Sequence, residues 1–196
     1  LSFVERSNKT AVRSPVMLNE QLNRLLVAVV GIAVGGLIVL MGIGMWQDVG
    51  NENIGRADTE LESGFNFDLP AFDGSRFVLT DHIQNPIFLY FWASWCAPCE
   101  IEAPLIQSLW PEYRERGYTF IGINIWDNTQ SAQDFVDRHG LEFPIVIDDG
   151  NTYLDYGVYG IPEAFFLLPG LRVDQKYIGT LTEVLFRKHL ENIKKS

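Results

Sequence analysis

The stretch FWASWCAPCEIEAP, Phe91–Pro104, holds both cysteines of the 196-residue chain, Cys96 and Cys99. A continuous apolar run, Ile87–Trp92, leads into this stretch and predicts a buried central strand. A helix is predicted to follow from Pro98 to Arg116, because proline is tolerated in the first turn of a helix. The two cysteines are therefore expected where a buried strand ends and a helix begins.

The spacing and surroundings of the cysteine pair favour redox chemistry. A bridge across two intervening residues closes a very small loop, so it adds little to the stability of a fold. At the start of a helix, the free N–H groups and the positive dipole end stabilise a thiolate, which is the nucleophile of thiol chemistry. Cys96 is predicted to attack a disulfide, and Cys99 to resolve the mixed disulfide that forms. Trp95 offers an apolar contact surface beside the reactive sulfur.

Three other uses of a cysteine pair compete with redox chemistry. A zinc site needs two more ligands, and the remaining candidates, His82, His139 and His189, lack ligand spacing. Covalent haem attachment needs histidine after the second cysteine, where this chain has Glu100. A pair of inert buried thiols stays open, although the neighbouring tryptophans and proline argue against it. We therefore expect no metal and no cofactor beyond the redox-active cysteines themselves.

An uncharged segment, residues 25–46, predicts a transmembrane helix. Its 22 residues match the roughly 20 that a helix needs to cross the hydrocarbon core of a bilayer. The basic residues before it are Arg6, Lys9, Arg13 and Arg24. The acidic residues after it are Asp48, Glu52, Asp58, Glu60 and Glu62. The positive-inside rule thus predicts that residues 1–24 lie in the cytoplasm and the rest outside. A cleaved signal peptide is the alternative, but its apolar core would be shorter.

After the membrane segment we expect an acidic linker, residues 47–63, and then one compact domain, residues 64–196. The net charge of -10 argues against nucleic acid as a partner. Besides the central strand, strands are predicted at Phe65–Leu69, Phe77–Leu79, Tyr118–Trp126, Phe143–Ile147, Ala164–Leu168 and Val173–Ile178. Further helices are predicted at Thr129–His139, ending at Gly140, and after a capping Thr182. Strands that alternate with helices indicate an α/β fold, here with a mixed sheet.

Phe91–Pro104 resembles the active-site signature of the thioredoxin fold, and it is similar to that of the membrane-anchored TlpA/ResA/DsbE family of cytochrome c biogenesis. The family pattern C-x-x-C-x-x-E-x-P corresponds to Cys96 through Pro104. The loop Tyr156–Glu163 and the closing segment Gly179–Glu183 are also similar to the family. This resemblance covers about residues 64–193. It implies a mixed central sheet flanked by helices, with an extra N-terminal hairpin.

The same resemblance implies that Pro162 is cis and lies against the cysteine pair. The backbone of Ile161 would then turn toward a substrate strand and offer it edge hydrogen bonds. An ordinary trans turn proline is the alternative reading.

Glu102 is the predicted proton carrier of the site. It lies one helical turn after Cys99, and a partly buried carboxyl group has a raised pKa that suits proton exchange with a thiol. Thioredoxin itself uses an aspartate six residues before its first cysteine, where this chain has Tyr90. Glu163, next to Pro162, is a second candidate and a predicted substrate contact. A solvent-facing position for each glutamate is the alternative.

The leading functional hypothesis is a dithiol reductant of exported proteins, anchored by residues 25–46 in a bacterial cytoplasmic membrane. The resemblance implies an apocytochrome c as substrate and a transmembrane protein as electron donor. A general disulfide oxidase or isomerase is one alternative. Another is an accessory subunit of a larger respiratory or photosynthetic membrane complex, with little or no turnover.

Overall fold

The computed structural model describes residues 15–48, 56–57 and 61–194, with side-chain positions for residues 22–40 and 61–194. The first unit contains one helix, α1, which runs from Pro15 to Asp48. At 1.5 Å per residue its length is about 50 Å, more than the roughly 30 Å of a bilayer core. The helix contains the whole predicted span 25–46. Residues 1–14 of the predicted cytoplasmic segment lie outside the described residues.

The middle of α1 has the surface of a membrane helix. Its apolar side chains between Leu22 and Leu40 are all exposed, on every side of the helix. Within the described residues, this is the one helix long and apolar enough to cross a bilayer. A continuous exposed apolar surface of this size is unusual on a water-facing element. The helix therefore fits a single-pass membrane anchor.

The second unit combines strands and helices along the chain. The strands are Arg56–Ala57 (β1), Asp68–Pro70 (β2), Arg76–Val78 (β3), Ile87–Trp92 (β4), Thr119–Asn124 (β5), Ile145–Ile147 (β6), Glu163–Leu167 (β7) and Val173–Ile178 (β8). The helices are Ala97–Glu115 (α2), Thr129–His139 (α3), Thr152–Asp155 (α4) and Glu183–Lys194 (α5), with a 3-10 turn at Leu79–His82.

The main sheet has the strand order β1-β8-β7-β4-β5-β6. Strand β4 is parallel to β5 and antiparallel to β7, and β5 is parallel to β6. The hairpin β2-β3 forms a separate two-stranded sheet. A mixed sheet with flanking helices and an N-terminal hairpin is the predicted thioredoxin-like fold, which is thus confirmed.

The core is divided by the central strand β4, which is buried along its whole length. Successive side chains of a strand point to opposite faces of the sheet. On one face, β4 packs against α2, α3 and α5 through the side chains of Phe88, Tyr90 and Trp92. On the other face, β4 packs against the hairpin and the residues that follow α4 through the side chains of Ile87, Leu89 and Phe91. The uniform apolar run predicted this two-sided burial.

Strands β5 and β6 are each shorter than predicted, and three other elements differ more from the sequence prediction. Strand β2 starts at Asp68 instead of Phe65, because the Phe65 carbonyl accepts a hydrogen bond from the Tyr156 hydroxyl (2.8 Å) and not from a strand. Helix α4, four residues long, is too short for a periodic pattern. Strand β1 lies inside the predicted linker 47–63 and pairs with β8. Residues 49–55 and 58–60 of that linker lie outside the described residues.

A close contact at Gly122 in β5 gives a test of the packing on the first face. A Cβ atom there would lie 2.6 Å from Ile145 Cδ1 and 3.0 Å from Trp92 Nε1. We expect Gly122→Ala to lower the free energy of unfolding by about 1–3 kcal/mol, the usual cost of overpacking. Urea unfolding of the full chain measures this change. Gly160→Ala is the matched control, since nothing lies within 4 Å of a Cβ atom there. Equal stability of the two variants would contradict the packing described.

Candidate active site

The cysteine pair lies at the N-terminus of α2, directly after β4. Cys96 is the N-cap residue of α2, and its Sγ accepts a hydrogen bond from the Cys99 N–H (3.2 Å). Cys96 and Cys99 form a disulfide with an S–S distance of 2.11 Å. Cys96 is 4% exposed and Cys99 is fully buried. The predicted strand–helix junction is confirmed, and Cys96 is the sulfur nearer to solvent.

The loop before Cys96 is fixed by a carboxylate from the neighbouring strand end. Asp127 accepts hydrogen bonds from the backbone N–H of Ser94, from the Ser94 hydroxyl (2.9 Å) and from the Asn124 side chain (3.0 Å). Sequence reasoning missed Asp127. Parallel strands β4 and β5 end at the same edge of the sheet, so a polar residue just after β5 was the available signal.

Exposed aromatic side chains border the disulfide on this side. Trp95 is 60% exposed, and its indole N–H donates to the carbonyl oxygen of Trp126 (2.9 Å). Trp126 is also exposed; it has φ 52° and packs edge-on against Tyr153. Trp95 is thus held in place while its ring faces solvent. Trp95 and Trp126 together expose an apolar surface here, and the part of Trp95 in binding a substrate stays a prediction.

The Ile161–Pro162 peptide bond is cis, as the resemblance implied. In the register between β4 and β7, Phe91 pairs with Glu163. Pro162 therefore lies beside the end of β4, from which the chain continues to Cys96. Ile161 is half-buried and packs against both core clusters. The part that Ile161 and Pro162 play in binding a substrate stays a prediction.

Glu163 is buried and ion-paired. Its Oε2 lies 2.9 Å from Lys176 Nζ, and its Oε1 accepts a hydrogen bond from the Tyr159 backbone N–H (3.3 Å). Lys176 also donates to the Gly157 carbonyl (2.7 Å). These contacts hold the loop that leads to Pro162. The predicted roles of Glu163 as substrate contact and second proton carrier stay predictions, and its observed contacts are internal.

Glu102 is 1% exposed and lies on the face of α2 that carries Cys99. Burial raises the pKa of Glu102 to about 7, against the opposing effect of the Leu181 N–H and of the nearby Tyr90 hydroxyl. Oε1 accepts the Leu181 N–H at 2.8 Å. Glu102 thus lies in the interior, as expected, and not at the surface. A carboxyl group with this pKa exchanges protons near neutral pH, and its role as proton carrier stays a prediction.

The raised pKa of Glu102 predicts a pH dependence of stability. The unfolded chain loses this proton near pH 4.5, and the folded protein keeps it up to about pH 7. The stabilisation is therefore complete below pH 4.5 and is lost as the pH rises through about 7. Relative to Glu102→Gln, we expect the unaltered chain to lose roughly 3 kcal/mol of unfolding free energy between pH 4 and 8. Urea unfolding at both pH values measures this, and a constant difference between the two proteins would contradict it.

The site consists of a cysteine pair at the start of a helix and a cis-proline loop beside it, and both are carried by a mixed sheet. These features together define a thioredoxin-fold thiol–disulfide oxidoreductase. Residues 62–175, more than half of the chain, match the AhpC/TSA family. The chain belongs to this thioredoxin-like family, and its relatives place it with the ResA/DsbE type.

The relatives carry names of the same enzyme class. Thiol-disulfide oxidoreductase ResA of Geobacillus thermodenitrificans is 36% identical over 130 residues, covering 66% of this chain and 75% of that protein. A Chlorobium tepidum structure assigned as thiol:disulfide interchange protein DsbE is 25% identical with a TM-score of 0.65, covering 70% and 99%. MTB DsbF, solved in mixed oxidized and reduced forms, is 27% identical with a TM-score of 0.61, covering 68% and 96%. The predicted enzyme class is confirmed.

Proposed function

We propose that this oxidoreductase is a dithiol reductant of exported proteins, tethered to the bacterial cytoplasmic membrane by α1. The observation that carries the proposal is the disulfide at the α2 N-terminus, with Cys96 nearer to solvent and Glu102 buried on the same helix. The apolar surface of α1 supports the tether. The basic residues before it and the acidic residues after it support a cytoplasmic N-terminus and an outer catalytic domain.

The reaction is an exchange of two electrons as thiols and disulfides. The Cys96 thiolate attacks one sulfur of a substrate disulfide, forms a mixed disulfide and releases the other substrate sulfur as a thiolate. Cys99 gives its proton to the Glu102 carboxylate, and its thiolate then attacks Cys96 Sγ. This step forms the Cys96–Cys99 disulfide and releases the second substrate thiolate. The substrate disulfide is reduced, and the protein dithiol is oxidised.

The substrate is proposed to be a protein disulfide, with the oxidised Cys-x-x-Cys-His pair of an apocytochrome c as the specific case. An extended segment of the substrate would lie across Trp95 and against the Ile161–Pro162 loop, with the backbone of Ile161 offering edge hydrogen bonds to the added strand. The cysteine pair needs no metal or cofactor for this exchange. Its electrons come from a transmembrane donor that draws on thiols of the cytoplasm.

A trapping experiment tests this proposal. In native membranes, Cys99→Ser should accumulate a mixed disulfide between Cys96 and an exported protein, because the resolving thiol is missing. Mass spectrometry after non-reducing electrophoresis identifies the captured protein, and a reductant should release it. The control is the double variant Cys96→Ser/Cys99→Ser, which should capture nothing.

The outcome separates the proposal from its rivals. Capture of proteins with a Cys-x-x-Cys-His pair supports the reductant of apocytochromes. A reduction potential near that of DsbA, about -120 mV, would overturn the direction of electron flow and favour an oxidase. Normal function of the double variant within a stoichiometric membrane complex would overturn the enzymatic role and favour an accessory subunit.

A further inference from the structure

Two buried oxygen atoms next to the redox helix have no hydrogen-bond partner of normal geometry among the described residues. They are the hydroxyl oxygen of Tyr90, on β4, and Oε2 of Glu102, on α2. Tyr90 belongs to the same core cluster as Cys96 and Cys99. A buried polar atom that makes no hydrogen bond costs free energy, so such atoms in a functional site call for an explanation.

Tyr90 lies on the face of β4 that packs against α2, and Glu102 lies on the α2 face that carries Cys99, so both oxygens are buried on the same side of the sheet. Burial raises the pKa of Tyr90 well above its ordinary value, and the negative charge of Glu102 raises it further. In return, the Tyr90 hydroxyl opposes the increase that burial causes in the pKa of Glu102. Because the Tyr90 phenol keeps its proton, its hydroxyl acts as a hydrogen-bond donor toward an ionised Glu102. Oε1 is already occupied by the Leu181 N–H, so Oε2 is the atom left for Tyr90.

The other groups around Glu102 come from the C-terminal elements. Tyr177, on β8, has a raised pKa, mainly because the side chain is buried and also because Glu102 carries a negative charge. From α5, the ring of His189 packs against that of Tyr177, with 6.0 Å between ring centroids. On α2 itself, the disulfide precedes Glu102 and apolar residues follow it. On the strand leading to Cys96, Tyr90 carries the buried hydroxyl that still lacks a hydrogen-bond acceptor within the described part of the chain.

We propose that Tyr90 is a positioning residue whose hydroxyl donates a hydrogen bond to Oε2 of Glu102 and holds the carboxylate that takes the proton of Cys99. The inference rests on the proposed function, in which Glu102 carries this proton. During resolution the Cys99 proton passes to Glu102, and the Cys99–Cys96 bond forms as the Cys96–substrate bond breaks. Tyr90 keeps its own proton throughout. Its hydrogen bond stabilises the ionised carboxylate, the form that accepts a proton.

A direct titration of Glu102 tests the contact without any turnover. In the full chain with its disulfide intact, the ¹³C signal of the Glu102 carboxyl group is followed by NMR against pH, and Glu102→Gln identifies the signal. Tyr90→Phe should move the midpoint upward by about one pH unit, the size expected for one hydrogen bond to a charged group. Tyr156→Phe is the matched control: it also removes a buried hydroxyl, but one that donates to Phe65 on the other face.

A second measurement connects the contact to the reaction. The reduced full chain is mixed with a small aromatic disulfide, and release of the second thiolate is timed across pH. Tyr90→Phe should shift the midpoint of this profile upward by the same amount, and Tyr90→Phe/Glu102→Gln should behave like Glu102→Gln alone. An unchanged NMR midpoint in Tyr90→Phe would overturn the inference. Failure of the unaltered protein to reduce the disulfide would overturn the proposed function, even where the NMR shift occurs.

Discussion

Cys96→Ser is expected to lower the rate of disulfide reduction on the order of a thousandfold or more, because it removes the attacking nucleophile. Cys96 is the N-cap of α2, and the Cys99 N–H already points at its sulfur (3.2 Å). In the reduced enzyme the same N–H and the helix dipole would stabilise a Cys96 thiolate. Cys99 is fully buried, so a substrate disulfide meets Cys96 first.

Cys99→Ser is the matched control for this prediction. Both variants lose the same disulfide, so any effect on stability is shared between them, and only the loss of the nucleophile differs. Mixed with an aromatic disulfide, Cys99→Ser should release one thiolate per molecule and then stop, whereas Cys96→Ser should release none. The absorbance of the released thiolate measures both. The reverse pattern would assign the attack to Cys99.

The strong sequence signals for the fold were those with a simple physical origin. Strand Ile87–Trp92 and helix Thr129–His139 have the predicted bounds, since an unbroken apolar run and a stop at Gly140 leave little choice. The short elements gave no comparable signal. Two residues of β1 and four of α4 cannot show a period, and their positions depend on pairing with β8 and on turns made by neighbouring aspartates.

The site was predictable where function constrains local sequence. The cysteine pair follows from residue type and spacing, and Glu102 from its place one helical turn after Cys99, whereas the cis form of Pro162 was implied only by the family resemblance. Asp127 had only the weaker signal of a polar residue after β5, and Lys176 had none, because their partners Ser94 and Glu163 lie far from them in sequence. Tertiary pairing through the sheet brings each pair together. The residues that support a site are thus harder to identify from sequence than the residues that react.

The ion pair Glu163–Lys176 is one such supporting contact, and its contribution to the stability of the fold can be estimated. The Glu163 side chain is 2% exposed and that of Lys176 10%, with 2.9 Å between Oε2 and Nζ. Lys176 also donates to the Gly157 carbonyl, so this one ammonium group connects β8, β7 and the loop before Pro162. Buried charges lose their hydration, and a buried charge left without its partner is strongly destabilising.

Lys176→Met should therefore lower the free energy of unfolding by about 3–5 kcal/mol, since it leaves the Glu163 carboxylate buried without its cation. The double variant Glu163→Gln/Lys176→Met should recover much of that loss, because a neutral amide can still accept the Tyr159 N–H. Arg76→Met is the control: Arg76 pairs with Asp68 at 2.8 Å, but both side chains are more than half exposed. An exposed pair contributes at most about 1 kcal/mol. Urea unfolding of the full chain compares the three variants, and equal losses for Lys176→Met and Arg76→Met would show that burial does not govern the strength of this pair.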